Sequence, residues 1–381
     1  METEKTIAME REHIMQSYSR FNIVIKKGKG CYVFDSEGKE YLDLIAGIAC
    51  TTLGHGNQDV TKAICSQAGN LIHACNLYYT EEQAELAKLL SDISGLKKCF
   101  FCNSGTEANE AAIKLAKKIT GKHEFIACKN SFHGRTHGSL SATWKEAFRK
   151  PFEPLLEGFS FVDYGNAEAM KKAIGNGTAA AILEPIQGEA GIKVPKDNYL
   201  AEVREICTKK GVLMIIDEVQ TGNGRTGKFF AYQHSNIMPD IVTSAKGLAN
   251  GVPIGVCMSN HEFLKGEHAS TFGGNSLACS AALATIKQIL KKNLMKNASD
   301  TGKYFMESLK KLNGVKEVRG KGLMIGADID GNAKEIAIKL LEKGLLVNNA
   351  GESTLRFLPP ITIGKKDIDK AIKIMESVLH A

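Results

Sequence analysis

No apolar run in this chain approaches the ~20 residues that a helix needs to cross a bilayer, so a membrane-spanning helix is not expected. Blocks of Lys and Arg are missing too. The net charge is +7, but the lysines are scattered, which argues against a nucleic-acid partner and for solubility with affinity for small anions. The ten cysteines follow no secreted-framework spacing. The opening METEKTIAMEREH is charged throughout and has no apolar core, so no signal peptide is expected. The cytoplasm, with thiols reduced, is the expected compartment. Cys99 and Cys102 form one C-x-x-C, but no second pair completes a zinc site, and residues three apart on a strand point to opposite faces; no metal is expected. There is no Pro- or Ser-rich linker and no repeat of ~20–50 residues. A nucleotide hydrolase would need G-x-x-x-x-G-K-S/T, and a dinucleotide-dependent dehydrogenase G-x-G-x-x-G after a first strand; neither is found.

What is present is an ordinary globular composition: 381 residues, 43% hydrophobic and 24% charged, enough for one large core and a smaller one. Thr3 to Ser19 reads as an amphipathic helix, with Ile7, Ile14, Met15 and Tyr18 on one side. Alternating residues from Ile23 to Leu44, broken at Lys27–Gly30 and Asp35–Gly38, read as hairpins. From Asn57 the rhythm becomes α/β. Strands are expected at 98–102, 125–127, 159–162, 180–183, 212–216, 241–243 and 254–258, with helices between them. That alternation predicts a mostly parallel sheet covered on both faces. After Asn275 a long helix and shorter elements read as a smaller α+β unit.

The stretch from Val212 to Lys246 organises the rest. Val212-Leu213-Met214-Ile215-Ile216 is the pattern of a strand buried on both faces, and it ends in Asp217-Glu218. Ile241-Val242-Thr243 ends likewise in Ser244-Ala245-Lys246. In open α/β sheets, ligands bind beyond the carboxyl ends of the strands. An acid able to pair with a pyridinium nitrogen and a lysine able to condense with an aldehyde are what pyridoxal 5'-phosphate (PLP) requires. Each feature alone has a plainer reading. Lys246 is one lysine among many. Ser104-Gly105-Thr106, between a strand and a helix, is an anion site or simply a helix cap. Phe132 and Arg135, in Phe132-His133-Gly134-Arg135-Thr136, offer a stacking ring and a carboxylate fork, or a core Phe and a surface Arg. Glu189 and Arg356 read as a loop acid and a structural cation.

Taken together and in order, SGT-EANEAA, FHGRT, EPIQGE, DEVQTG with GRTG and AKG, and STFGGN resemble the class III, fold-type I PLP aminotransferases. The resemblance runs from the early hairpins to TLRFLPP. It implies an α/β fold with a mostly parallel large domain and a smaller α+β domain, divided as an N-terminal arm and hairpins (1–55), a PLP-binding part (56–268) and a C-terminal small domain (269–381). It implies that Ser104, Gly105 and Thr106 cup the phosphate, and that Phe132 and Val219 sandwich the ring. Asp217 then meets the ring nitrogen, Gln220 the phenolic oxygen, and Lys246 bonds the cofactor and moves the proton. Glu218 enters as a helper to the cofactor or a structural acid. Thr271 is implied to reach the phosphate of the neighbouring subunit, which makes the site a property of a homodimer, and Ser270 to lie beside the substrate. Arg135 is implied to bind the carboxylate remote from the reacting amine. Glu189 is implied to neutralise Arg356 until an α-carboxylate arrives. Asn76 and Tyr78 resemble the region lining the substrate entrance. Ser276 departs from the pattern, standing where many relatives have proline.

Within the family the chain is most similar to the branch that moves the δ-amino group of N2-acetyl-L-ornithine to 2-oxoglutarate. Ornithine, succinylornithine, succinyldiaminopimelate and carrier-linked lysine are the rival donors. His133 stands where enzymes taking free ornithine often have tryptophan, which favours an acylated donor. A PLP-binding regulator would lack the lysine or carry a DNA-binding domain; Lys246 is present and no such domain is visible.

Overall fold

The strands that carry the site owe their burial to composition. In the computed structural model, which describes residues 2–379, fifteen strands occur in chain order: β1 (Ile25–Lys29), β2 (Tyr32–Asp35), β3 (Glu40–Asp43), β4 (Lys98–Cys102), β5 (Glu124–Cys128), β6 (Phe159–Val162), β7 (Thr178–Leu183), β8 (Leu213–Asp217), β9 (Ile241–Ser244), β10 (Gly255–Ser259), β11 (Val315–Lys321), β12 (Met324–Ile329), β13 (Leu345–Leu346), β14 (Asn348–Asn349) and β15 (Thr354–Phe357). Every residue of β7, β9 and β10 is buried. Runs such as TAAAIL and IVTS show no inside–outside alternation because helices cover both faces.

Seven strands form the central sheet, in the order β4-β10-β9-β8-β7-β5-β6. Only β10 runs antiparallel, to both β4 and β9; the remaining pairs are parallel. The carboxyl ends of β4, β5, β7, β8 and β9 therefore share one edge. Within a few residues of those ends come Ser104, Phe132, Glu184, Asp217 and Lys246. The helix Gly105–Thr120 starts at the same edge. Ser104 caps it, its Oγ accepting from the Glu107 N–H at 3.3 Å.

Two four-stranded sheets complete the fold: β1-β2-β3-β13 and β11-β12-β15-β14. β13 lies parallel to β3, with Leu345 opposite Leu42, so the N-terminal hairpins are tied to the C-terminal part.

Some expectations shift. The first helix spans Glu2–His13 rather than reaching Ser19. Met15 and Tyr18 beyond it are exposed, so no core holds further turns in place. The expected long helix after Asn275 is two, Ser276–Lys291 and Leu294–Leu309, broken where Asn293 takes a left-handed φ of 50°. The last strand of the central sheet falls one residue later than expected. A G-x-G-x-x-G does occur, at Gly222–Gly227, but after β8, and it leads into turns rather than a helix. All ten cysteines are free. Among the described residues, no helix is long and apolar enough to cross a membrane.

Candidate active site

At the shared strand edge lies a cavity of about 400 Å³. Its best-defined feature is the carboxylate of Asp217. The Asp217 side chain is buried at the end of β8, and three donors fix it. The Val219 N–H reaches Oδ1 at 3.0 Å, while Asn109 Nδ2 and His133 Nδ1 both reach Oδ2 at 2.8 Å. Asn109 is itself held, donating to His133 O at 2.7 Å and accepting from Thr243 Oγ1 at 2.7 Å. Every polar atom of Asn109 is thereby used in orienting the acid, as a buried amide requires. His133 leaves its Nε2 buried without a partner.

Lys246 enters from the next strand. Its backbone sits at φ 42°, a left-handed conformation that a non-glycine residue adopts only when its surroundings impose it. Here the constraint is local: Ala245 O accepts from Asn223 Nδ2 at 3.1 Å and from the Leu248 N–H at 2.9 Å. Burial holds the Lys246 ammonium below its usual range. Arg356 adds to that effect, while Glu189, Cys50 and Asp217 oppose it. Lys246 supplies the only amine among the residues lining the cavity.

Around this pair the backbone is close-packed. A Cβ at Gly105 would fall 2.6 Å from Val219 Cγ1, and one at Gly134 would fall 2.2 Å from Thr106 Oγ1; only glycine fits at either place. Thr106 Oγ1 accepts from the Arg135 N–H at 3.2 Å and lies 2.5 Å from Ser139 Oγ, joining the helix start to the Phe132–Thr136 loop. Phe132 lines the cavity, as do Val219 and Gln220. Gln220 keeps its Oε1 buried and unpartnered.

At the rim, Arg356 of β15 is buried and donates from Nη1 to Glu189 Oε1 at 2.5 Å and to Gly188 O at 3.2 Å. Burial alone would push the Glu189 carboxyl up, but Arg356 holds it below the usual range. Arg135, on the other side, lays its guanidinium 3.6 Å from the Phe148 ring centroid and 5.6 Å from that of Phe132. Stacking of this kind orients the fork while leaving its N–H groups free.

Of the residues singled out in the sequence, Ser104, Gly105, Thr106, Phe132, Arg135, Glu189, Asp217, Val219, Gln220 and Lys246 line one cavity, and Arg356 joins them through Glu189. Glu218 does not. Its carboxyl accepts from Thr221 Oγ1 at 2.5 Å and from the Tyr232 N–H at 2.8 Å, fully buried behind the loop. That is the placement of a structural acid, one of the two roles expected of it; adjacent strand-end residues point to opposite sides. Thr271 is exposed and Ser270 only borders the cavity, through Asn103 Nδ2 at 3.4 Å. Asn76 ties this loop down, donating to Ser270 O and Gly273 O at 3.0 Å. Tyr78 is exposed. Ser276 occupies the first turn of its helix, a position that also suits proline, so the departure leaves the turn intact.

Sequence reasoning missed Asn109, Thr243, Phe148 and Glu184. Asn109 left a trace: it interrupts an alanine-rich stripe, Ala108-Ala111-Ala112, that the helix buries. A polar residue on such a stripe needs a partner. Phe148 left none.

Comparison with known proteins agrees over the whole chain. The family model for class-III aminotransferases matches residues 14–379. The acetylornithine aminotransferase of Archaeoglobus fulgidus is 48% identical over 373 residues, 97% of this chain and 99% of that protein. The one from Methanothermobacter thermautotrophicus is 47% identical over 387 residues, covering 100% and 99%. Among solved structures, an ornithine aminotransferase from Toxoplasma gondii superposes with a TM-score of 0.95 at 32% identity, covering 99% of this chain and 95% of that one. An acetylornithine aminotransferase from Elizabethkingia anophelis gives 0.88 at 30% identity, covering 99% of each.

Proposed function

This chain belongs to the class-III aminotransferases and is thus a PLP-dependent transaminase; from that premise we propose that it moves the δ-amino group of N2-acetyl-L-ornithine to 2-oxoglutarate, giving N-acetyl-L-glutamate 5-semialdehyde and L-glutamate, a step of arginine biosynthesis. What supports this donor is full-length identity of 46–49% to proteins named for that activity, together with the Glu189–Arg356 pair beside Lys246.

The residues present fit PLP. A helix start for its phosphate, a fixed buried acid, one amine and an unpartnered Gln220 oxygen share the cavity. In this reading Ser104, Gly105 and Thr106 hold the phosphate, Phe132 and Val219 flank the ring, Asp217 meets the ring nitrogen and Gln220 the phenolic oxygen. When bound, the cofactor supplies an aldehyde for the amine and a ring that draws off electrons. The chain does the rest. With it bound, Lys246 Nζ would take the proton from the amine-bearing substrate carbon and deliver it to the former aldehyde carbon, two atoms along; burial favours the neutral amine this requires. Asn109 and His133 keep Asp217 aimed while charge develops. Arg135 binds the carboxylate farthest from the reacting carbon. Arg356 stays neutralised by Glu189 while acetylornithine occupies the site, and is released to the α-carboxylate of glutamate or 2-oxoglutarate.

A homodimer belongs to the same reading. Thr271 is exposed and lies outside the cavity of its own chain, and Leu77, Tyr79 and Phe272 are exposed apolar side chains. These features support pairing that brings Thr271 to the partner's phosphate. We also place the protein in the cytoplasm, on its free thiols, and carry the division at 55/56 and 268/269 as part of this proposal, residues 1, 380 and 381 lying outside the described ones.

The test is a donor panel with 2-oxoglutarate: acetylornithine, ornithine, succinylornithine, succinyldiaminopimelate and 4-aminobutyrate. Acetylornithine should give the highest kcat/KM; a higher value for another donor would overturn the assignment. E189Q should shift the kcat/KM ratio towards glutamate over acetylornithine by roughly tenfold, the scale of one charge-assisted hydrogen bond. An unchanged ratio would reject the switch.

A further inference from the structure

One buried acid lines the cavity without a part in the scheme above. Glu184 follows β7 and is buried. Its Oε1 accepts from the Phe132 N–H at 3.1 Å, and its Oε2 accepts from the Gly188 N–H at 3.1 Å. Phe132 is the aromatic face of the site. Gly188 is the residue whose carbonyl receives Arg356 Nη1, and it precedes Glu189. One carboxylate thus bridges two loops that are 52 and 4 residues away from it in sequence.

We propose that Glu184 is a positioning residue: as a carboxylate it pins the Phe132 and Gly188 peptides, so that ring face and Arg356 are set together, and on gaining a proton it releases them. The inference rests on the transaminase reading and adds to it a control over the substrate-carboxylate end of the site. A carboxylate accepts at both oxygens. A neutral carboxyl must place a proton on one of them, and both are already faced by N–H donors. Burial pushes this carboxyl up to about 7; His133 opposes that rise, Asp217 adds to it, and the two N–H bonds oppose it. The titratable groups facing Glu184 are His133 from the loop after β5, Asp217 at the end of β8, Cys128 at the end of β5 and Tyr164 after β6. Because its value is raised, Glu184 gains its proton as pH falls through about 7, and the clamp is complete only on the alkaline side.

The experiment compares kcat and KM for 2-oxoglutarate in the cofactor-loaded wild type and E184Q across the neutral range. E184Q offers one acceptor oxygen and turns an NH2 towards an N–H, so it mimics the protonated state at every pH. At about pH 8.5 its kcat/KM should be roughly tenfold lower than wild type, mainly through KM, and near pH 6 the two should agree within about twofold. The acidic limb present in wild type should be absent in E184Q. A ratio constant across the range would overturn the inference while leaving the function standing; a wild type with no transamination would take both down. E184D, one methylene shorter but still ionisable, should keep an acidic limb at reduced kcat/KM. Should E184Q not fold, a wild type and E184D whose KM for 2-oxoglutarate is independent of pH would equally overturn it.

Discussion

Lys246→Ala is expected to abolish turnover, by on the order of 10,000-fold or more, and to remove the visible absorbance that the cofactor gains on bonding to the protein. The reason is the uniqueness of the amine. No other lysine lines the cavity, and the arginines of the site, Arg135 and Arg356, do not give up protons in a protein. Water entering the space left behind is a weaker base and is not held in place. The fold should survive, because the substitution removes a side chain whose ammonium burial disfavours; an unchanged melting temperature with no activity is the expected pattern. Retained turnover in a rapid-quench or coupled assay would end the assignment.

Asp217→Ala should be nearly as severe in kcat, roughly 1,000-fold, the scale of losing one oriented electrostatic partner of the developing charge. It differs from the first prediction in also striking the structure. Three donors converge on this carboxylate. Leaving even one of them buried and unpaired costs about 1–3 kcal/mol. The alanine variant should therefore melt at a lower temperature and bind PLP more weakly in an absorbance titration. Asp217→Asn keeps the shape but turns an NH2 towards either Val219 N or the Asn109–His133 pair. It should lose comparable activity with a smaller loss of stability. Wild-type kcat in either variant would show that Asp217 is a core acid and nothing more.

The two residues behind these predictions were legible because each ends a run whose pattern declares a buried strand. Asp217 closes VLMII, and Lys246 follows IVTS by two positions. Parallel strand ends converge whatever lies between them, so two sequence-distant residues could be placed in one crevice. The sheet itself was legible for the same reason, except at β10, whose direction no local pattern encodes. The partners were harder. Asn109 reaches Asp217 across 108 positions, and Glu184 holds Phe132 across 52. Nothing in EANEAA or EPIQGE says which loop will fold back onto them. Glu218 has two roles open in the sequence, and only its partners Thr221 and Tyr232 distinguish them, because consecutive residues diverge at a strand end. The apolar stripe of the first helix continues through Ile14, Met15 and Tyr18, yet the helix ends at His13, because no surface among the described residues covers them.

The central claim, that one amine in this cavity carries the cofactor, has a direct measurement. The protein is loaded with PLP, reduced with borohydride, digested with trypsin and analysed by mass spectrometry. A single modified peptide is expected, with the added mass on Lys246. Modification of a different lysine, or none above the level seen in the unfolded chain, would contradict it.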